Sequence, residues 1–403
     1  MRNRWFQLAA ALVAMLMIAN LQYAWTLFVA PIAAATDWDL SSIQWAFSIF
    51  VLFQTWVQPL DGWLLDRFGP RRFLVAAGLL CGAGWSMMGQ AATLPQLYAC
   101  YALAGIGAAF VYSGSVGLAL KWFPDRRGLA TGIIAAGFGG GSALAIPAFI
   151  YLIRVHGYST AFLVSGIVQG LVVMLASSTL SYPGTSLAGP RPAPVQKPGP
   201  VRRNTEQFTT AEMLRSPQFL VLYLMFVAMA TGGLMVTANA GPLQESYGLP
   251  ASALTLAVTL GPIANAASRI LWGWVSDRAG RETTMVVAFT LQGFCLLGVA
   301  TLGSTSAIWF VTTLALTFFT WGEIFSLFPA LLGDYFGARY ATSNYAFLYT
   351  AKGIAAVIGG GLAAMLFETW GSWRGPLYGS AVLALASAAL ALYLRAGALP
   401  KAR

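Results

Sequence analysis

Gly62-Trp63-Leu64-Leu65-Asp66-Arg67-Phe68-Gly69 recurs 211 residues later as Gly273-Trp274-Val275-Ser276-Asp277-Arg278-Ala279-Gly280, with five of eight positions identical. Each copy closes a long apolar run. A looser pair, Trp122-Phe123-Pro124-Asp125-Arg126 and Tyr335-Phe336-Gly337-Ala338-Arg339, follows two apolar runs later in each half. A motif that repeats at this distance, always at the end of an apolar run, marks a chain built from two related halves.

Composition names the solvent of those runs. Of the 403 residues 58% are hydrophobic and only 9% charged, where a soluble domain carries about 25% charged residues. So few charges cannot cover a chain of this length in water. In hydrocarbon the backbone must be satisfied inside helices or closed barrels, and long uninterrupted runs select helices. Twelve runs of the required length lie near 5–30, 42–65, 73–92, 95–120, 128–153, 159–182, 217–240, 252–276, 284–303, 306–333, 343–367 and 375–394. The first follows two arginines and superficially resembles a secretory leader. Its length, from Trp5 to about Ala30, is that of a spanning helix, so it is read as retained.

The expected fold is therefore all-α, with twelve transmembrane helices in two six-helix bundles, 1–182 and 217–403. A linker, 183–216, joins them and carries six prolines. Its end, Thr209-Thr210-Ala211-Glu212, fits a capping box and predicts a short helix up to Pro217. If the N-terminus is cytoplasmic, 19 of the 23 Lys and Arg lie in inside segments, and only Arg154 and Arg374 lie in outside loops. That asymmetry is the positive-inside pattern; it accounts for the net charge of +10 without nucleic acid and puts both termini inside. The cysteines Cys81, Cys100 and Cys295 lie within apolar runs and read as small core residues, and His156 reads as a solvated loop residue. Neither a metal nor a cofactor is expected.

The doubled Gly-x-x-x-Asp-Arg-x-Gly segments, the six-plus-six plan and the central linker resemble the major facilitator superfamily over the whole chain. The resemblance implies that Asp66, Arg67, Asp277 and Arg278 form gating loops that latch the two bundles on the inside face.

Arg269 and Lys352 are the two basic residues inside apolar runs. Each costs about 2.5–3.5 kcal/mol at a helix centre, so neither should face lipid. Arg269 lies eight residues before Asp277, roughly 12 Å along its helix, and Lys352 nine residues after Ser343, roughly 13 Å along a helix of opposite direction. Both reach the same depth. Two cations in one cavity repel unless an anion sits between them, and the simplest occupant is a small dicarboxylate, gripped by the Arg269 fork and the Lys352 point charge. The competing arrangement is a buried bridge in which Glu323 neutralises one of them. Asn265 shares a helix face with Arg269. Further polar and aromatic candidates for the site are Gln22, Tyr23, Gln44, Tyr112, Phe138, Trp321, Phe325 and Tyr349. The glycine runs at 137–141 and 359–361 suit close helix packing.

Gln22-Tyr23-Ala24-Trp25-Thr26-Leu27, Trp122 through Ala130, Glu212 through Phe219, Phe318-Phe319-Thr320-Trp321-Gly322 and Ala351-Lys352-Gly353 resemble the oxalate/formate antiporter family. That resemblance implies exchange of a dicarboxylate for a monocarboxylate, with Arg269 and Lys352 as anion ligands. It also implies an aromatic cage, matched by Tyr23, Tyr112, Trp321 and, with changed identity, Tyr349. The chain departs from the pattern at Phe138 and Phe325, where hydroxyls are missing, and at Glu323, where a small residue is expected. The reading is a monomeric secondary carrier of small carboxylates in a bacterial plasma membrane. The alternative is a carrier for lactate- or formate-sized monocarboxylates, proton-coupled through Glu323. A membrane receptor or sensor is disfavoured because the longest soluble stretch is the 34-residue linker, and an enzyme because no catalytic or nucleotide-binding cluster is present.

Overall fold

The computed structural model describes residues 3–123, 127–182, 201–337 and 339–401, and the side chains of all of these except 62–67, 127–129 and 342. Asp66 and Arg67 therefore lie outside the described side chains. The first part of the chain forms α1 (Arg4–Tyr23), α2 (Thr26–Thr36), α3 (Leu40–Trp56), α4 (Gln58–Met88), α5 (Leu94–Trp122), α6 (Arg127–Gly140) and α7 (Ser142–Ser178). After α8 (Thr210–Leu214) come α9 (Pro217–Ser246), α10 (Ala251–Ala279), α11 (Arg281–Thr301), α12 (Ala307–Trp321) and α13 (Ile324–Phe336). The chain ends with α14 (Ala341–Tyr349), α15 (Ala351–Val357), a π-helical turn (Ile358–Leu362), α16 (Ala363–Trp370) and α17 (Arg374–Ala396).

Ten stretches of the described residues are long and apolar enough to cross a membrane: Arg4–Tyr23, Leu40–Asp61, Leu94–Trp122, Ala130–Ser178, Pro217–Ser246, Ala251–Ala279, Arg281–Thr301, Ala307–Phe336, Ser343–Trp370 and Arg374–Ala396. The recurring octapeptides are not the loops expected from sequence. Both are mostly helical, and the chain turns only at their last glycine, Gly69 (φ 74°) or Gly280 (φ 90°). Gly337 (φ 84°) does the same at the end of α13. Only glycine reaches that backbone region without a Cβ penalty, which is why the repeat ends in it. Asp277, near the end of α10, is paired at 2.7 Å with Arg281, the first residue of α11, across the Gly280 break, and Arg281 also meets Asp334 at 3.0 Å. Arg278 stacks on Trp274.

The capping box forms as the sequence predicts. The Thr209 side chain accepts from the Glu212 backbone N–H while Glu212 accepts from that of Thr209. These hydrogen bonds, from the Thr209 hydroxyl and its backbone, hold the Glu212 carboxyl below its usual range. The stretch before it straps the ends of later helices. Arg202 donates to the carbonyls of Arg395 and Gly397, and Asn204 to those of Tyr335 and Pro400.

Among the described residues five spans are interrupted in mid-course: at Ala24–Trp25, at Val57, at Gly141, at Gly322–Glu323, and on both sides of α15, at Thr350 and in the π turn. The π turn is sealed by a residue from the other half of the chain. The Ser48 hydroxyl of α3 donates to the Ala356 carbonyl at 2.8 Å and accepts from the Gly361 N–H at 2.9 Å. Those two backbone groups are five residues apart, the pair that a π turn should join, so Ser48 is wedged into the turn. Gly360 gives it room, since a Cβ there would collide with the Ser48 hydroxyl. Ser48→Ala leaves both backbone groups unpaired in an apolar interior, so stability should fall by about 1–3 kcal/mol. The unfolding midpoint of the purified protein in detergent reads this; an unchanged midpoint would mean that the turn closes without Ser48.

Candidate functional site

The interruptions and close helix approaches bring the expected cations together. Arg269 sits in mid-α10, where α6 and α12 come unusually near. A Cβ on Gly139 of α6 would lie 3.0–3.1 Å from Asn265 Oδ1 and Arg269 Nε. A Cβ on Gly322 would collide with Ser268 and the Asn265 carbonyl. With those glycines, Arg269 reaches across to the Ala135 carbonyl of α6 through Nη1 at 2.8 Å. Its Nε and Nη2 both donate to Asn265 Oδ1, at 3.2 and 3.0 Å, and its guanidinium lies 4.4 Å from the Phe325 ring centre.

Lys352 is on α15, which packs closely on α3 because Gly353 meets Thr55 and Trp56. Its ammonium donates to Gln22 Oε1 and Gln54 Oε1, both at 2.8 Å, and to the Tyr349 hydroxyl at 3.4 Å. The same nitrogen is 5.7 Å from the centre of the Phe325 ring that Arg269 also touches, and 5.4 Å from those of Phe138 and Tyr349. Both cations are buried, Lys352 completely and Arg269 to 4% exposure.

Six aromatic rings close a loop around them. Tyr23, Phe138, Tyr112, Tyr349, Phe325, Trp321 and again Tyr23 follow one another at centroid separations of 5.9, 5.4, 5.6, 6.1, 5.6 and 6.5 Å. All six are buried. Three lie at interruptions: Tyr23 ends α1, Trp321 ends α12 and Tyr349 ends α14. The negative faces of such rings attract cations; their hydrocarbon excludes water and strengthens any charge interaction inside.

Gln44 is not among the groups around the cations. Its amide accepts from Trp25 Nε1 at 3.0 Å and donates to the Ala238 carbonyl at 2.8 Å, joining the turn after α1 to α9. Glu323 is fully buried, and neither carboxylate oxygen has a hydrogen-bond partner. It forms no bridge with Arg269 or Lys352, so both cations remain without a counter-charge from it. Sequence reading missed Gln54, which contacts Lys352 as closely as Gln22 does; an amide inside the apolar run of α3 was the available signal. The Ala135 carbonyl has no signature in residue type at all. Buried donors near the cations that lack acceptors include Gln22 Nε2, Gln54 Nε2, Trp321 Nε1 and the Tyr23 hydroxyl. Two cations and these idle donors within an aromatic enclosure make surroundings suited to a small anion. Among the described residues no cluster of metal-binding side chains occurs.

If Glu323 were half of a buried ion pair, truncating it would cost about 3–5 kcal/mol. Because it is unpaired, Glu323→Met should leave the unfolding midpoint unchanged or raise it. A marked drop in that midpoint would reinstate the bridge.

Residues 10–360 match the Major Facilitator Superfamily. The oxalate:formate antiporter of Oxalobacter formigenes is 37% identical over 392 residues, covering 97% of this chain and 91% of its own. An uncharacterized MFS-type transporter of Escherichia coli, YhjX, is 26% identical over 360 residues, 88% of this chain and 86% of its own. Monocarboxylate transporter 12-B of Danio rerio is 23% identical over 380 residues, 88% of this chain and 79% of its own.

Proposed function

This chain belongs to the major facilitator superfamily and, within it, to the oxalate/formate antiporter family; on that footing we propose that it exchanges small carboxylates, an oxalate-type dianion against a formate-type monoanion, by alternating access. It is a multi-pass membrane transporter. The observation that carries the substrate class is the pair of buried cations, Arg269 and Lys352, inside one ring of six aromatic side chains with no acid among the described residues bonded to either. A dianion neutralises both. Arg269 supplies a planar fork for one carboxylate and Lys352 a point charge for the other, while the idle donors of Gln22 and Trp321 complete the shell.

The working architecture is twelve spans in two six-helix bundles, 1–182 and 217–403, with termini on the cytoplasmic side of a bacterial inner membrane. Three features support it. Gly69 and Gly157 (φ 79°) each divide one long helix into two, the segments α1–α2, α3 with α4 up to Gly69, α6 with α7 up to Gly157, α12–α13 and α14–α16 each count as one span, and the basic residues segregate to one side. The helix ends carrying Asp66, Arg67, Asp277 and Arg278 bias which side opens, and one chain suffices as the transport unit.

Each cation, though carried by the C-terminal half, is held by neutral dipoles of the N-terminal half: Gln22 and Gln54 for Lys352, the Ala135 carbonyl for Arg269. Rocking the halves apart in the empty state strips those dipoles away. A bound anion replaces them, so the loaded carrier reorients and the empty one is slow. Obligatory exchange follows.

One observation favours a second reading. Phe138 and Phe325 offer no hydroxyl to a second carboxylate, and the unpartnered Glu323 is free to carry a proton, as a proton-coupled monocarboxylate carrier would require. Uptake of labelled oxalate into proteoliposomes preloaded with formate, with oxalate or with buffer separates the two. Exchange predicts uptake that needs internal anion and is lost in Arg269→Ala. If oxalate is refused while lactate or formate enters with a proton, and Glu323→Gln abolishes the pH dependence, the second reading replaces the first.

A further inference from the structure

We propose that Gln54 is a further anion ligand and the residue that keeps the site selective for a dianion, an inference that rests on the carboxylate-exchange reading. An ammonium has three donors, and those of Lys352 go to Gln22 Oε1, Gln54 Oε1 and the Tyr349 hydroxyl. In the closed, empty site Gln54 is thus the placeholder for one substrate oxygen.

The other end of its amide is the telling part. Gln54 is 1% exposed and its Nε2 has no acceptor among the described residues. A buried amide N–H without a partner is costly, and chains retain such groups where something else supplies the acceptor. Covalent geometry puts that nitrogen within roughly 5 Å of the Lys352 ammonium, since the carbonyl oxygen of the same amide is in hydrogen-bonding contact with it. A carboxylate that takes one ammonium hydrogen therefore has its second oxygen in reach of Gln54 Nε2. The amide serves both states, its acceptor end for the empty site and its donor end for the loaded one.

Neutrality sets the specificity. Gln22, Gln54 and Asn265 surround the two cations with dipoles and leave a net charge of +2 for the substrate to cancel. A carboxylate at position 54 would sit on Lys352 at the same distance, reduce the site to +1 and leave only Arg269 for the anion. A monoanion is satisfied by that; a dianion is not. Gln54 lies one residue from Thr55 and two from Trp56, which meet Gly353 and the Thr350 carbonyl. The ligand is therefore held by the same contact between halves that must separate when α3 and α15 part.

The test is exchange kinetics for oxalate and formate in proteoliposomes with wild type, Gln54→Glu, Gln54→Met and Gln54→Asn, each first shown to have the wild-type unfolding midpoint within a few degrees. Gln54→Glu is expected to raise the KM for oxalate at least about tenfold more than that for formate. Gln54→Met, which keeps the charge and loses the amide, is expected to raise the oxalate KM about tenfold, the size of one hydrogen bond to a charged group. Gln54→Asn, should Met fail to fold, withdraws the amide by one methylene and is expected to act in the same direction. An oxalate-to-formate KM ratio unchanged in Gln54→Glu, or an unchanged oxalate KM in Met or Asn, overturns the proposal. Wild type that transports no oxalate sinks the substrate reading and with it the dianion selectivity, and leaves the ligand role of Gln54 to be read separately. The same variants are then read on the carboxylate that wild type does carry, where a raised KM in Met or Asn supports Gln54 as a ligand and an unchanged KM overturns it.

Discussion

Two positive charges in an apolar interior are the constraint around which this molecule is arranged. Burying one unpaired ion costs several kcal/mol even after relaxation, and here two share one aromatic ring, Phe325. Among the described residues the protein does not answer with carboxylates. It answers with dipoles and π-faces: a bidentate contact to Asn265, a backbone carbonyl at Ala135, two glutamine carbonyls, a tyrosine hydroxyl and three flanking rings. Dipoles hold a cation without cancelling its charge, which leaves the charge for a substrate to use. Glu323, the acid nearest in sequence to the cage, keeps out of this network, since its oxygens meet no partner.

Irregular backbone serves the same constraint. A continuous helix cannot place an aromatic side chain at the midplane and also turn its neighbours aside, so α1, α12 and α14 each stop on a cage residue. Broken helices within a membrane survive only where other protein groups satisfy the freed backbone. Ser48 does so for the π turn, and Thr26 accepts from the Gly241 N–H beside the break after α1. In both cases donor and acceptor come from opposite halves of the chain. The irregular segments are thus the places where the halves depend on each other.

What was legible in the sequence follows the same division. Apolar length and the depth of Arg269 and Lys352 are local or periodic signals, and they located the long apolar helices and brought the two cations to one place. Four of the six rings were legible beside a polar anomaly, Tyr23 next to Gln22, Trp321 and Phe325 about Glu323, and Tyr349 before Lys352, whereas Tyr112 and Phe138 have no such neighbour. The breaks were not legible, because Ala24, Trp25, Thr350 and Ile358 carry no proline or other stop signal; tertiary contact decides there. Glycine misled in one place: Gly62 and Gly273 suggested loops, yet only the last glycine of each octapeptide leaves the helix. Gln44 and Gln54 are both buried amides of α3, ten residues apart. Nothing along the chain tells that the first ties α1 to α9 and the second grips Lys352, since that depends on which helix lies opposite.

The placement of the dipoles has a kinetic meaning. Had Gln22, Gln54 and the Ala135 carbonyl belonged to the same half as the cations, the halves could part with every hydrogen bond intact, and an empty carrier would leak. Instead three hydrogen bonds to charged groups span the divide. Each is worth about 1.5–3 kcal/mol, and their loss together slows the empty carrier by orders of magnitude. In the proposed exchange, an anion bound to both cations travels with the half that carries them and removes the need for those three contacts. Substrate then acts as the counter-charge that the fold omits, and movement of the charge-compensated carrier in either direction is the behaviour that exchange requires.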